Sequence, residues 1–197
     1  MARINKCIEL LEKGQPIYAT GSGELSYENG KEMSQTWADM LLVEFEHHPF
    51  DTVGLAKFMQ GLKDGGPTPS GHLTPTVVAT LPSNCISREE VLYNAWQTRH
   101  VLSTGAHGCL HTHARDPEAV KAFVATARYP FQTLARDIIP EGLRGGGGQA
   151  GPAVIWGLQP AEYVKIADPW PLNPEGELLL GLKIEDKYCL LTADETA

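Results

Sequence analysis

Five apolar runs of strand length, most of them followed by a helical pattern, constrain this chain more than any other feature. They are PIYATGSG (16–23), ADMLLVEFE (38–46), TPTVVATLP (74–82), AHGCLHTHA (106–114) and GELLLGLKIED (176–186). The second run is close to continuously apolar, as in a strand covered on both faces, and the first ends in glycines. Helical segments separate them. INKCIELLEKG (4–14) stops at Gly14, and DTVGLAKFMQGLKDGG (51–66) starts on the capping residue Asp51 and buries Leu55, Phe58, Met59 and Leu62. SREEVLYNAWQTRHVLSTG (87–105) opens with Ser87 and Glu90 in a capping-box pattern, and DPEAVKAFVATARYP (116–130) opens with Asp116 followed by Pro117. A glycine- and proline-rich stretch, 131–157, breaks the rhythm. A short helix at PAEYVKIAD (160–168) and a rigid surface connection, DPWPLNPEGE, with Trp170 packed beneath it, lead to the fifth strand; LLTADETA (190–197) begins another helix.

Alternating strands and helices with buried strands specify a parallel sheet, either doubly wound or closed into a barrel. No G-x-G-x-x-G opens a helix after a strand, so the dinucleotide-binding fold has no support. The expected fold class is therefore α/β, of the (β/α)8 TIM-barrel type, in one domain over residues 1–197. A full barrel takes about 250 residues. The 197 residues here provide about five βα units, so the expectation is a partial barrel whose open edge favours self-association into a homo-oligomer.

Composition narrows the partners. A net charge of -8 excludes a broad nucleic-acid footprint, and no basic run is present to meet an anionic membrane surface. No segment has the apolar core of a signal peptide or the roughly 18–20 apolar residues of a membrane helix. Four cysteines without a C-x-x-C pair fit reduced thiols and a cytoplasmic location, with Cys109 as a small core residue.

The second strand ends in VEFEHHPFD (43–51), which gathers Glu44, Glu46, His47 and His48 where an apolar run stops. Charged groups are costly to bury unless paired or metal-bound, so the cluster is either a solvated strand exit or a site. In barrels the C-terminal strand ends carry the chemistry, and this is such an end.

The same stretch resembles the [ILV]-D-x-E-H-[AG]-x-x-[DN] signature of the HpcH/HpaI aldolase/citrate lyase family, the class II pyruvate aldolases. The likeness continues through GLKDGG and TPTVVATLP, then VLSTGAHGCLHTHARDPEAVKAFVATARYP, EGLRGGGG and LLLGLKIED. It implies a metal-dependent lyase joining or splitting a 2-oxo acid such as pyruvate and an aldehyde. It assigns His47 as general base, Glu185 as ligand of a divalent cation (Mg²⁺ or Mn²⁺), and Glu44 as a substrate-side partner of that centre. An imidazole and a hard carboxylate oxygen suit those two roles.

The chain departs from the family pattern at several positions. Ala79 and Thr80 stand where the family has a substrate-gripping arginine, Ser103 where it has an aspartate that orients the base, and Lys183 where it has glutamine. The family's second metal ligand, an aspartate in G-P-x-D-L, has no counterpart within residues 1–197. Period-two alternation puts Lys183 and Glu185 on one strand face. Three roles are open to Lys183: a replacement for the missing arginine, a Schiff-base amine, or an ion-pair partner of Glu185. The lost residues also allow a non-catalytic relative.

Two other motifs compete for function. HGCLHTHA places His111 and His113 two apart, the H-x-H spacing of metal-dependent barrel hydrolases, with His47, His72 and Glu185 as further ligands. In GLRGGGGQAG, Arg144 and successive glycine amides could bind an anionic substrate group, although no G-K-[ST] follows to make a P-loop.

Overall fold

The computed structural model describes residues 3–196. In chain order the elements are α1 (Lys6–Glu12), β1 (Ala19–Gly21), α2 (Tyr27–Met33), β2 (Met40–Val43), α3 (Thr52–Gly65), β3 (Thr76–Asn84), α4 (Arg88–Tyr93), α5 (Ala95–Ser103), β4 (Gly108–Thr112), α6 (Pro117–Ala127), α7 (Ala150–Ile155), α8 (Pro160–Ile166), β5 (Pro169–Trp170), β6 (Leu178–Leu182), α9 (Lys187–Leu191) and α10 (Ala193–Thr196). The strands form one parallel sheet in the order β1-β2-β3-β4-β6-β5. Its edges are β1 and the two-residue β5, so the sheet is open.

All five sequence runs contain strands, and burial on both faces accounts for the continuous apolarity of β3 and β4, whereas β1 is largely exposed and β2 alternates. β3 lies at the centre and is buried over its first six residues. Pro82 is tolerated inside it because the β3–β4 register shifts between Thr80 and Asn84, where no regular ladder bond is demanded of its nitrogen. Leu41, Val43, Val77, Ala79, Leu81 and Cys109 join Leu55, Phe58, Met59 and Leu62 of α3 in the core.

Beyond the extra helices α7 and α9, three differences from the sequence expectation bear on the sheet. α2 fills the connection between β1 and β2, where few apolar residues mark a helix. Its packing rests on glycine: a Cβ at Gly30 would lie 2.3 Å from the Phe58 carbonyl oxygen, and one at Gly61 would lie 2.1 Å from that of Tyr27. The two backbones meet directly, so no side-chain stripe is needed. The segment 87–105 forms two helices joined at Asn94, whose amide donates to the Glu90 carbonyl at 2.9 Å and ends the first. Pro169–Trp170 is a strand paired with Leu178–Leu179, not a surface connection.

Polar anchors close the N-terminal side of the sheet. Asn5, fully buried, caps α1, donates to the Glu177 carbonyl at 3.1 Å and accepts from the Thr76 hydroxyl at 2.8 Å. All four cysteines are free and buried, and burial pushes the Cys109 thiol up to about 12, which leaves it inert. Among the described residues, no helix is long and apolar enough to cross a membrane.

Candidate functional site

The end of β2 turns sharply, and Glu44 holds the turn. Its Oε1 accepts from the backbone N–H of Glu46 at 2.6 Å, that of His47 at 3.3 Å, and the hydroxyl of Thr80 at 2.8 Å. Thr80 in turn accepts from the N–H of Phe45 at 2.7 Å. Burial works to raise the Glu44 carboxyl. The bonds from Thr80 and the Glu46 amide, with the Lys183 charge, outweigh it and leave the carboxyl below its usual range.

Lys183, just past β6, reaches across the strand ends. Its ammonium donates to Glu46 Oε2 and lies 3.9 Å from Glu44 Oε2. Desolvation would lower its pKa, but the bond to Glu46 and the charges of Glu46, Glu44 and Glu185 overcome this and raise it. Its ion-pair partner is therefore Glu46, and the alternative of a pair with Glu185 is not formed. His47 Nε2 lies 3.5 Å from the other Glu46 oxygen, with the imidazole largely in solvent.

Glu185 and Asp186 meet the end of β4 instead. His113 donates its backbone N–H to Glu185 Oε1 at 3.3 Å, and its ring Nε2 is 3.7 Å from the same oxygen. Ring Nδ1 is 2.8 Å from Asp186 Oδ2, which also accepts from Arg115 at 2.7 and 3.1 Å. Asp186 additionally caps α9 through the N–H groups of Tyr188 and Cys189. The Cys189 amide, with Arg115 and His113, holds its carboxyl far below the usual range. One ligand atom each from Glu46, His113 and Glu185 lies within 4.8 Å of the others; His113, Asp186 and Cys189 form a second such group. Two carboxylates and an imidazole are a donor set suited to a divalent cation, so the residues fit the implied metal, with Lys183 already neutralising one of them. A cleft of about 390 Å³ opens beside Glu44, walled by Gly21, Ser22, Gly23 and His48.

The expected sites thus separate. Glu44, Glu46, His47, Lys183 and Glu185 come together from β2 and β6. The H-x-H pair does not: β4 ends at Thr112, and His113 adopts φ 50°, which breaks the two-residue alternation. His111 is buried edge-on to Phe123 of α6, with ring centroids 4.9 Å apart, so burial pushes its pKa down to about 4. His72 binds Ser70 and Glu9 instead. His111 and His113 therefore do not converge on one centre. Arg144 is likewise absent from the strand ends; its partners are Leu102, Tyr163 and the face of Tyr129. Ser103 donates to the carbonyl of His100 in its own helix. Thr80, His113, Arg115 and Asp186 were not read together from the sequence, because they come from the middle of β3 and from beyond the ends of β4 and β6. The only sequence signal was a cluster of polar residues after each apolar run.

No family model and no curated protein matches the chain by sequence. Solved structures do match in shape, and they define the class of fold. An HpcH/HpaI aldolase/citrate lyase family protein from Burkholderia cenocepacia J2315 superposes with a TM-score of 0.71 at 18% identity, over 98% of this chain and 64% of its own. The HpcH/HpaI aldolase of Desulfitobacterium hafniense DCB-2 gives 0.64 at 19% identity, over 96% and 60%. Citrate synthase SbnG gives 0.61 at 17%, over 95% and 59%. The chain has the TIM-barrel-like α/β fold of the HpcH/HpaI aldolase structures, and it spans less than two thirds of their length.

Proposed function

We propose that the protein is a carbon–carbon lyase of aldolase type, acting on a 2-oxo acid such as pyruvate with an aldehyde partner, and dependent on Mg²⁺ or Mn²⁺. The observation that carries this reading is the convergence of Glu46, His113 and Glu185 at the C-terminal ends of β2, β4 and β6, in a fold shared with HpcH/HpaI aldolases. A bound divalent cation would supply a Lewis acid for the carboxylate and carbonyl of the keto acid and for the negative charge that develops there.

The chain's own residues do the rest. Glu185, His113 and Glu46 would hold the cation. His47, beside Glu46 and open to solvent, accepts or returns a proton at its ring nitrogen. Glu44, braced by Thr80, fixes the turn that carries Glu46 and His47. Lys183 supplies the positive charge that Ala79 and Thr80 do not. A lysine whose pKa is raised stays protonated and is a poor Schiff-base nucleophile, which favours the electrostatic role.

The Lys183–Glu46 pair also favours a second reading, a non-catalytic relative, because a tethered ammonium already balances these carboxylates. Association into a homo-oligomer is supported by an apolar groove of about 420 Å³ along β6 and α6, lined by Val120, Phe123, Leu180 and Leu182.

Exchange of pyruvate methyl protons in heavy water distinguishes the readings. The aldolase reading requires exchange that a chelator abolishes and Mn²⁺ restores, and that Glu185→Ala removes. Chelator-resistant exchange with borohydride trapping of pyruvate on Lys183 would establish the amine mechanism instead. Absence of exchange with metal present leaves the non-catalytic reading.

A further inference from the structure

We propose that a phosphate-type oxyanion binds in a second cleft, between the C-terminal end of α5 and the glycine loop 145–148, as the counter-ion of Arg144. This site shares no residue with the strand-end cluster, so it stands or falls independently of the lyase reading.

Arg144 is 4% exposed, yet it forms no ion pair among the described residues. One guanidinium nitrogen donates to the Tyr163 hydroxyl at 2.6 Å and, weakly, to the Leu102 carbonyl at 3.4 Å; the buried Nη1 has no partner among the described residues. The faces of Tyr129 and Tyr163 lie 4.7 and 5.4 Å away. None of these groups carries a negative charge, since burial pushes the Tyr163 hydroxyl up to about 12. A buried cation without a counter-charge is costly. The contrast is Arg128, equally buried, which binds both oxygens of Asp168 at 2.7 and 3.0 Å.

Arg144 forms part of the wall of a cleft of about 430 Å³, with Arg99, His100 and Ser103 opposite the glycines. That volume suits a small ligand. Arg99 is exposed and makes no ion pair among the described residues. Two arginines and a histidine thus face one cleft with no acid among the described residues of its wall, on a chain of net charge -8.

The loop itself points to a ligand. Only Gly147 needs to be glycine for the fold, with φ 103° and its N–H on Gln149 Oε1 at 2.7 Å. At Gly145, Gly146 and Gly148 an added Cβ would meet nothing within 4 Å, and no φ is left-handed. Side chains would fit there in the free protein, but they would obstruct close approach of an anion to the three backbone amides. Bare amides beside arginine forks are the donors that phosphate oxygens take.

Titration calorimetry of the full chain with inorganic phosphate, at constant ionic strength and with chloride as control, tests the site; glycerol phosphate provides the phosphomonoester arm. Saturable one-site binding is expected, weakened about fivefold by Arg99→Gln. Gly146→Ala should weaken it comparably while leaving the melting temperature unchanged. Arg144→Met should abolish it, and if that variant does not fold, the other two decide. Tighter binding of glycerol phosphate would identify a phosphorylated metabolite as the ligand; equal or weaker binding would identify free phosphate. No saturable binding beyond the chloride control, or unchanged affinity in both Arg99→Gln and Gly146→Ala, overturns the proposal.

Discussion

Lys183, just past β6, donates to Glu46, just past β2, joining residues 137 positions apart across the ends of two intervening strands. That ion pair places an ammonium where a divalent cation would also seek Glu46. Lys183→Gln should therefore strengthen Mn²⁺ binding by about tenfold, as removal of a competing unit charge near a partly buried carboxylate implies. Calorimetry with Mn²⁺ measures this directly. Equal affinity in the two proteins would mean that Lys183 moves aside at no cost.

Glu185→Ala should reduce Mn²⁺ affinity by at least about a hundredfold, because a carboxylate ligand is lost. His113→Ala should cost less, since the imidazole is one of three donors and is shared with Asp186. Identical binding by Glu185→Ala and the unaltered protein would remove Glu185 from the metal centre.

Thr80→Val keeps the shape of the side chain but removes the hydroxyl that supports Glu44 and receives the Phe45 amide. The buried N–H is left unpaired, so the expected cost is about 1–3 kcal/mol in urea unfolding. Mn²⁺ affinity should fall with it, because Glu46 and His47 lose their fixed turn. Lost stability with unchanged metal affinity would mean that the turn does not position the ligands.

His107 is buried between β3 and the helical layer, accepts the Val77 N–H at 3.1 Å and stacks on Trp156. Burial pushes its pKa down to about 3. The unfolded chain then binds a proton that the folded one refuses, so this contribution is complete above about pH 6.5 and is lost as pH falls toward 3. The slope approaches about 1.4 kcal/mol per pH unit within that window. His107→Gln retains an acceptor for Val77 and should flatten the slope between pH 6 and 4, read by urea unfolding at each pH. An unchanged slope would assign the acid sensitivity to other groups.

Gly61→Ala should destabilise the fold by about 1–3 kcal/mol, because its Cβ would fall 2.1 Å from the Tyr27 carbonyl oxygen and force α2 off α3. A melting temperature equal to that of the unaltered chain would show that the helices can part freely.

The residues that identify the fold were legible one segment at a time. Apolar runs such as Thr76–Leu81, capped helices such as the one beginning after Asp116, and the missing G-x-G-x-x-G together specified a parallel sheet with β/α order, since each signal depends on near neighbours in the chain. α2 escaped because its packing signal is two glycines, Gly30 and Gly61, whose meaning depends on a partner backbone 31 positions away. β5 escaped because its two residues, Pro169 and Trp170, are too few to carry a periodicity.

The sequence by itself determined which strand ends would carry acid, base and lysine, because side-chain chemistry and position along a strand travel with the chain. Tertiary structure alone decided how they pair. Register across β2, β3, β4 and β6 brought Lys183 to Glu46 and left Glu185 to His113. A single left-handed residue, His113, turned one ring of the H-x-H pair to the strand ends while His111 stayed against Phe123. Burial of Arg144 among tyrosines set it beside its own glycine loop and apart from the strand-end cluster. Each outcome depends on distances between segments far apart in the chain, which local pattern does not encode.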